Sequence, residues 1–202
     1  MNSNKLFILL ILLSTLSCND NNNFTKDNIL MAEFNTPFQT VPFDAIKTED
    51  YKPAITKAIK KAKYTVNKIV KNSEEPAFKN TVEALERSTL KINHLANILY
   101  NLNQANTNEK IQNTAKDISA ILTEFSNDIN LNEELFSKVK TVYDNKDNYK
   151  LTAEQQMLLN DTYKGFIRNG ANLSAEDKKK FRKLTKELSQ LTLKFGDNVL
   201  AE

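Results

Sequence analysis

Histidine, cysteine, glycine and proline are all scarce in this chain of 202 residues, and each scarcity excludes something. The one histidine is His94 and the one cysteine is Cys18. A hydrolytic zinc site takes about three protein ligands, and the His-Glu-x-x-His motif supplies two of them as histidines four apart on a helix. A single imidazole cannot do that, and the motif is absent. With His94 the sole imidazole, a Ser-His-Asp triad has no signal either, and no phosphate-binding glycine loop is present. No catalytic residue and no metal ligand is therefore assigned to this chain. Three glycines and four prolines leave little punctuation for hairpins, which argues against a β protein.

Charge of one predominant sign is also missing. Lys and Arg number 28 against 25 Asp and Glu, a net charge of +3. Nucleic-acid binders carry a basic stripe or cluster. The densest run here, Lys178-Lys179-Lys180, has Glu176, Asp177 and Glu187 around it and reads as a solvated helix face. No nucleic-acid partner is expected.

Two segments precede the main body. Lys5, the apolar run Leu6 to Leu13, and Ser14-Thr15-Leu16-Ser17 before Cys18 have the order of an export signal. The run is shorter than the roughly 20 apolar residues of a spanning helix. A small residue directly before cysteine, then a polar stretch, resembles a bacterial lipoprotein processing site, so residues 1–17 are expected to be removed and Cys18 to carry lipid. An ordinary secreted protein with an incidental cysteine is the alternative. One modified thiol leaves no internal disulfide. Residues 18–36 are asparagine-rich and polar, the composition of a flexible tether. Pro37 and Pro42 mark an extended entry.

From there to the end, residues 37–202, apolar residues recur at helical spacing, predicting an all-α fold, an antiparallel array of helices. Thr48 is placed to cap a first helix carrying Glu49 and Asp50 in its first turn, with Ile55, Ile59, Ala62, Val66 and Ile69 on one face. A second runs from about Asn80 through Leu85, Leu90, Leu95, Ile98 and Leu102, and a third from about Asn108. Asn132 starts a fourth; Thr152-Ala153-Glu154-Gln155 is a capping box for a fifth, which Asn169-Gly170 stops. A sixth follows Ser174. Its residues Phe181, Leu184, Leu188, Leu191, Phe195 and Val199 form a seam at spacings of three and four that wants a partner. No stop signal follows Val199, so the pattern reads as truncated, against the bland reading of a frayed last helix.

Several strings resemble the thimet-oligopeptidase-like zinc metallopeptidases, in particular the bacterial peptidyl-dipeptidase (dipeptidyl carboxypeptidase) branch. They are Pro42-Phe43-Asp44-Ala45-Ile46-Lys47 running into Tyr51-Lys52-Pro53-Ala54-Ile55, and Pro76-Ala77-Phe78-Lys79-Asn80-Thr81 with Glu83-Ala84-Leu85-Glu86-Arg87-Ser88. Asn101-Leu102-Asn103, Ile129 to Phe136, and Tyr163, Phe166, Arg168, Gly170-Ala171-Asn172-Leu173 on to Asn198-Val199-Leu200 continue the order. Gly196 departs from it, standing where the family more often has serine. The resemblance covers nearly all of the chain after the tether but only the first part of a family member. It implies the N-terminal helical wall of a channel that admits short peptides and excludes folded proteins. It also implies a catalytic domain, absent from this chain, in which zinc polarises the scissile carbonyl and a glutamate acts as base.

On that reading the chain is an inactive N-terminal fragment of an exported peptidyl-dipeptidase, held at the cell envelope through lipidated Cys18. Its partners are the missing catalytic domain, short peptides and the membrane; zinc belongs to the parent enzyme alone. Tyr100, Tyr163, Phe166 and Arg168 are the residues that could face such a channel, with core packing as the competing role. His94, Glu83, Glu86 and Arg87 read as helix-surface groups. A stand-alone helical lipoprotein binding peptides or a partner is the alternative function, and a helical adaptor without a peptide role is a third. The residues do not separate the peptidyl-dipeptidase from the oligopeptidase branch.

Overall fold

The computed structural model describes residues 28–201. The expected signal peptide and Cys18 lie outside the described residues. Within them the chain forms six α-helices and no strand: α1 (Thr48–Lys71), α2 (Ala84–Ala105), α3 (Glu109–Asn130), α4 (Glu133–Asp144), α5 (Ala153–Arg168) and α6 (Ala175–Ala201). A π-helical turn, Phe78–Glu83, leads into α2, and short 3-10 turns lie at Ile29–Met31, Pro37–Gln39 and Lys146–Asn148. Among the described residues no helix is long and apolar enough to cross a membrane.

Helix starts follow local hydrogen-bond chemistry. Asn108 accepts from the Ile111 N–H at 3.0 Å, and Asn132 from the Leu135 N–H at 2.8 Å. Thr152 and Gln155 satisfy one another's backbone N–H groups, a complete capping box. Thr48 does not cap α1. It is already the first helical residue, and the end is closed from inside by the Asp50 carboxylate, which accepts from the Lys47 N–H at 2.8 Å. The second helix starts before Asn80, at Phe78, where Asn80 accepts from the Ala77 N–H. α5 ends in a Schellman turn: the Ala171 N–H reaches the Phe166 carbonyl and the Gly170 N–H that of Ile167. Gly170 sits at φ +87, in the left-handed region. A Cβ there would lie 2.8 Å from Leu173 Cδ1 and 3.2 Å from Leu131 Cδ2.

Three apolar clusters hold the helices together. The largest joins α1, α2 and α3 through Tyr51, Ile55, Leu95, Leu99 and Ile118. A second joins the end of α1 to α4 and α5 through Val66, Ile69, Leu135, Val139 and Phe166. The third sets Phe78 and Val82 of the π turn against Val142 and Leu159. Ion pairs give relative direction. Glu49–Lys110, Lys52–Asp117 and Lys63–Asp128 ascend together, so α1 and α3 run parallel. Glu124–Arg182 and Lys116–Asp197 run in opposite order, so α3 and α6 are antiparallel.

The fold begins earlier than residue 37. Asn28 accepts from the Leu30 N–H and donates to the Asp50 carbonyl at 2.6 Å, and Leu30 is fully buried against the main cluster. Residues 28–36 are therefore not all tether. The entry is not simply extended either, since Phe38 and Gln39 turn it through positive φ. Leu90, counted in the apolar stripe of the second helix, is 52% exposed.

Candidate functional site

α6 meets α3 with its polar face. Asn127, 4% exposed, exchanges hydrogen bonds with Thr185, and Gln190 donates to the Lys116 carbonyl. Arg182 bridges Glu124 and Asp128, each at 2.9 Å. Lys178 is not solvated like the rest of its run: it is 8% exposed, and its ammonium bonds Glu133 Oε1 at 2.7 Å. That hydrogen bond, then the charge behind it, holds the Glu133 carboxyl below the usual carboxylate range. Lys180 pairs outward with Glu176 and Asp177. With the polar side turned in, the apolar seam is turned out. Leu184, Leu188, Leu191, Phe195 and Val199 are 56–70% exposed.

Between α3 and α6 lies a groove of about 400 Å³, lined by Tyr100, Ser119, Thr123, Asn127, Thr185 and Leu188 among others. Hydroxyls and amides of Ser119, Thr123, Asn127 and Thr185 punctuate a wall that is otherwise mostly apolar surface, Leu188 and Leu193 included. Tyr100 is half-buried there; burial pushes its phenol up, and the Ser119 hydrogen bond partly offsets that. The other three proposed channel residues do not join it. Tyr163 stacks on Tyr143 at 3.9 Å and on Phe136 at 6.0 Å. Phe166 is 2% exposed and stacks on Phe136 at 5.7 Å, which makes it a core residue rather than a channel-facing one. Arg168 is exposed in the last turn of α5, one residue before Asn169 at the groove's edge.

A second groove, about 540 Å³, lies where the Ile29–Met31 turn crosses α1 and α2. Met31, Ala58 and Ala84 give it an apolar floor, and Lys61, Arg87 and Lys91 a cationic rim. Burial lowers the Lys91 pKa, while Arg87 is already paired with Glu83 at 2.7 Å.

Among the described residues no group of three or more His, Cys, Asp or Glu side chains is placed to hold a metal ion. His94 is exposed, with its ring 6.0 Å from that of Phe34. The polar members of the α3–α6 groove escaped the sequence reading; the one signal that could have found them is helical phase, since Lys178, Arg182, Thr185 and Ser189 share one side of α6, roughly 100° around the helix from the seam.

No protein-family model matches the chain. It is 30% identical over 177 residues to dipeptidyl carboxypeptidase of Escherichia coli (strain K12), covering 88% of this chain and 26% of that protein. It is 31% identical over 174 residues to dipeptidyl carboxypeptidase of Salmonella typhimurium, covering 86% of this chain and 26% of that protein. Against oligopeptidase A of Salmonella typhimurium the identity is 22% over 165 residues, 82% of this chain and 24% of that protein. The chain spans about a quarter of the length of the curated relatives it matches.

Proposed function

We propose that this chain, a homologue of the thimet-oligopeptidase-like peptidases, is the N-terminal helical part of an exported peptidyl-dipeptidase. It lines the path of short peptides to a catalytic site carried by the rest of that enzyme. The observation that carries the reading is the alignment of 177 residues at 30% identity with a dipeptidyl carboxypeptidase of which they make up 26%. Higher identity to the dipeptidyl carboxypeptidases than to oligopeptidase A favours release of dipeptides over internal cleavage.

We read the described residues as a supporting part. They do not fit a zinc site, since their one imidazole, His94, stands apart from any ligand cluster. The parent's zinc belongs to residues outside them, and no step of hydrolysis is assigned to this chain. Its contribution is a wall stiffened by three apolar clusters, with the Tyr100–Asn127–Thr185 groove as the surface a peptide would meet.

The test reads the coding DNA past the codon for Glu202 in all three forward frames. A His-Glu-x-x-His helix downstream is expected; a clean stop with no such motif nearby sinks the fragment reading. The purified chain with added zinc is expected to release no dipeptide from short peptides. Export through Cys18 has its own readout: Cys18→Ser moves the protein from the membrane fraction to the soluble one.

One observation favours the alternative of a stand-alone helical lipoprotein. Each of the three apolar clusters is built from residues within 28–201. Binding of short peptides by the isolated chain, with folded proteins refused, would support that reading.

A further inference from the structure

We propose that the outer face of α1 is a contact surface for an anionic lipid bilayer, drawn to it by lysine charge. Helical phase, not a run in the sequence, assembles this face. At 100° per residue Lys57, Lys60, Lys61, Tyr64, Lys68 and Lys71 fall within an arc of about 100°, and at 1.5 Å per residue they span about 21 Å. All six are exposed. The buried residues of the helix, Ile55, Ala58, Ala62 and Val66 among them, lie outside that arc.

The charge is concentrated and uncompensated. α1 carries seven lysines against Glu49 and Asp50, an excess of five in a chain whose net charge is +3. Both acids sit in the first turn and are engaged, Glu49 with Lys110 and Asp50 with the Lys47 N–H. Lys52 and Lys63, on the flank toward α3, are paired with Asp117 and Asp128. The five lysines of the outer face join no ion pair among the described residues. Lys68 lies over the Tyr64 ring instead, 4.6 Å from its centre. Glu33 and Glu134 line the recesses beside Lys61 and Lys71, but each shares its recess with a further cation, Lys91 and Lys138 respectively. The borders therefore do not neutralise the face.

The kind of cation and the lone ring choose the partner. Nucleic-acid surfaces use the planar fork of arginine and several rings on which bases stack; this face has no arginine and one ring, already covered by Lys68. Lysines are point charges, and a plane of anionic headgroups asks for nothing more directional. Tyr64, 62% exposed, is the amphipathic kind of ring that sits at headgroup level. The chain also enters the fold at one end of this helix, where Asn28 donates to the Asp50 carbonyl. Residues 18–27 reach at most about 35 Å when extended, so a lipid on Cys18 would keep the face close to a bilayer. That last point rests on the export reading; the charge and geometry of the face do not.

Vesicle co-sedimentation of the full chain carrying Cys18→Ser tests the face without an acyl anchor, so its outcome is separate from that of the export reading. At low salt the protein is expected to pellet with phosphatidylcholine vesicles containing about a third phosphatidylglycerol, and not with phosphatidylcholine alone. Salt at about 0.5 M is expected to release it. Lys60→Gln with Lys61→Gln and Lys68→Gln is expected to weaken the partition about 100-fold, at about fivefold per lysine, with the helical circular dichroism unchanged. The same loss of charge on α6, Lys179→Gln with Lys183→Gln and Lys186→Gln at exposed positions, is expected to change it less than about threefold. No binding to the anionic vesicles, or equal weakening by the α1 and α6 triples, would overturn the proposal. A short DNA duplex that strips the chain from the vesicles at equal phosphate concentration would overturn it too, and make the face a nucleic-acid site.

Discussion

α1 and α6 are the two longest helices of the fold, and they are attached in opposite ways. α1 buries eight residues, among them Tyr51, Ile55, Ile59, Val66 and Ile69, and its charges face water. α6 turns hydrogen bonds and ion pairs toward the bundle and leaves its leucines outside. Burying a large apolar side chain is worth roughly 1.5–3 kcal/mol, whereas an exposed ion pair is worth about 0–1. Similar length and similar helical content therefore conceal different strengths. α1 is part of the cooperative core, and α6 is a docked element expected to open by itself at a fraction of the global free energy.

The sharpest way to break this comparison is one substitution made on both sides of it. Leu95→Ala removes a fully buried side chain from the α1–α2–α3 cluster and is expected to cost about 2–5 kcal/mol. Leu191→Ala makes the same chemical change on the α6 seam, 56% exposed, and is expected to stay within about 0.5 kcal/mol. Urea unfolding followed by circular dichroism measures both; equal costs would abolish the distinction.

Gly170 governs how the chain leaves α5 to start α6. Ala there must adopt φ +87 and place its Cβ against Leu173, at an expected cost of about 1–3 kcal/mol. The loss is expected to appear first as faster amide exchange in residues 171–185, with α1 following only on global unfolding.

Asn127→Ala cuts the central α3–α6 hydrogen bond. Thr185 keeps bonds to its own helix at the Phe181 and Arg182 carbonyls, so no hydroxyl is stranded and the expected cost is about 0.5–1.5 kcal/mol. Exchange should quicken in α6 while the melting temperature moves little. Loss of protection in α1 to the same degree would show that the two helices are one cooperative unit.

Acid supplies the smallest effect. Glu133 titrates below its ordinary value of 4.5 because Lys178 bonds the charged form. Its stabilising contribution is thus present above the unfolded pKa and is lost as pH falls through the lower, folded one. Exchange in α6 is therefore expected to rise as pH drops below about 4.5, after correction for intrinsic rates, and added salt should act in the same direction at neutral pH. The main cluster holds no carboxylate to protonate there; its one ionisable member, the Tyr51 phenol, is pushed up by burial.

The same contrast explains what could be read from the chain before folding. Helix starts at Asn108, Asn132 and Thr152 and the stop at Gly170 were legible, because capping joins residues three or four apart and needs no knowledge of the rest. The outward seam was legible as unmatched, since its spacing is regular. Leu30 was not, because one buried side chain in a polar stretch leaves no period to detect. Lys178 was misjudged by composition: three lysines in a row look solvated, yet successive helical residues point about 100° apart and one of the three faces Glu133. The groove was half legible. Tyr100 was picked out for its ring, but Asn127 and Thr185, its polar walls, look like surface residues until two helices are brought together. Phe166 went to the core for the ordinary reason that aromatic rings pack on aromatic rings.

The Asn28–Leu30 clamp has a mechanical consequence. Any pull arriving from the residues before it enters the protein at the first turn of α1, through the Asn28–Asp50 bond and the Leu30 side chain. α1 touches α2, α3 and α4, so the load is shared in shear across the main core instead of peeling one outer helix. A tug at the other end would meet α6 and unzip its polar contacts one at a time. Tension from the N-terminal side is thus expected to be borne by the main core, and the α3–α6 contacts to yield at lower load.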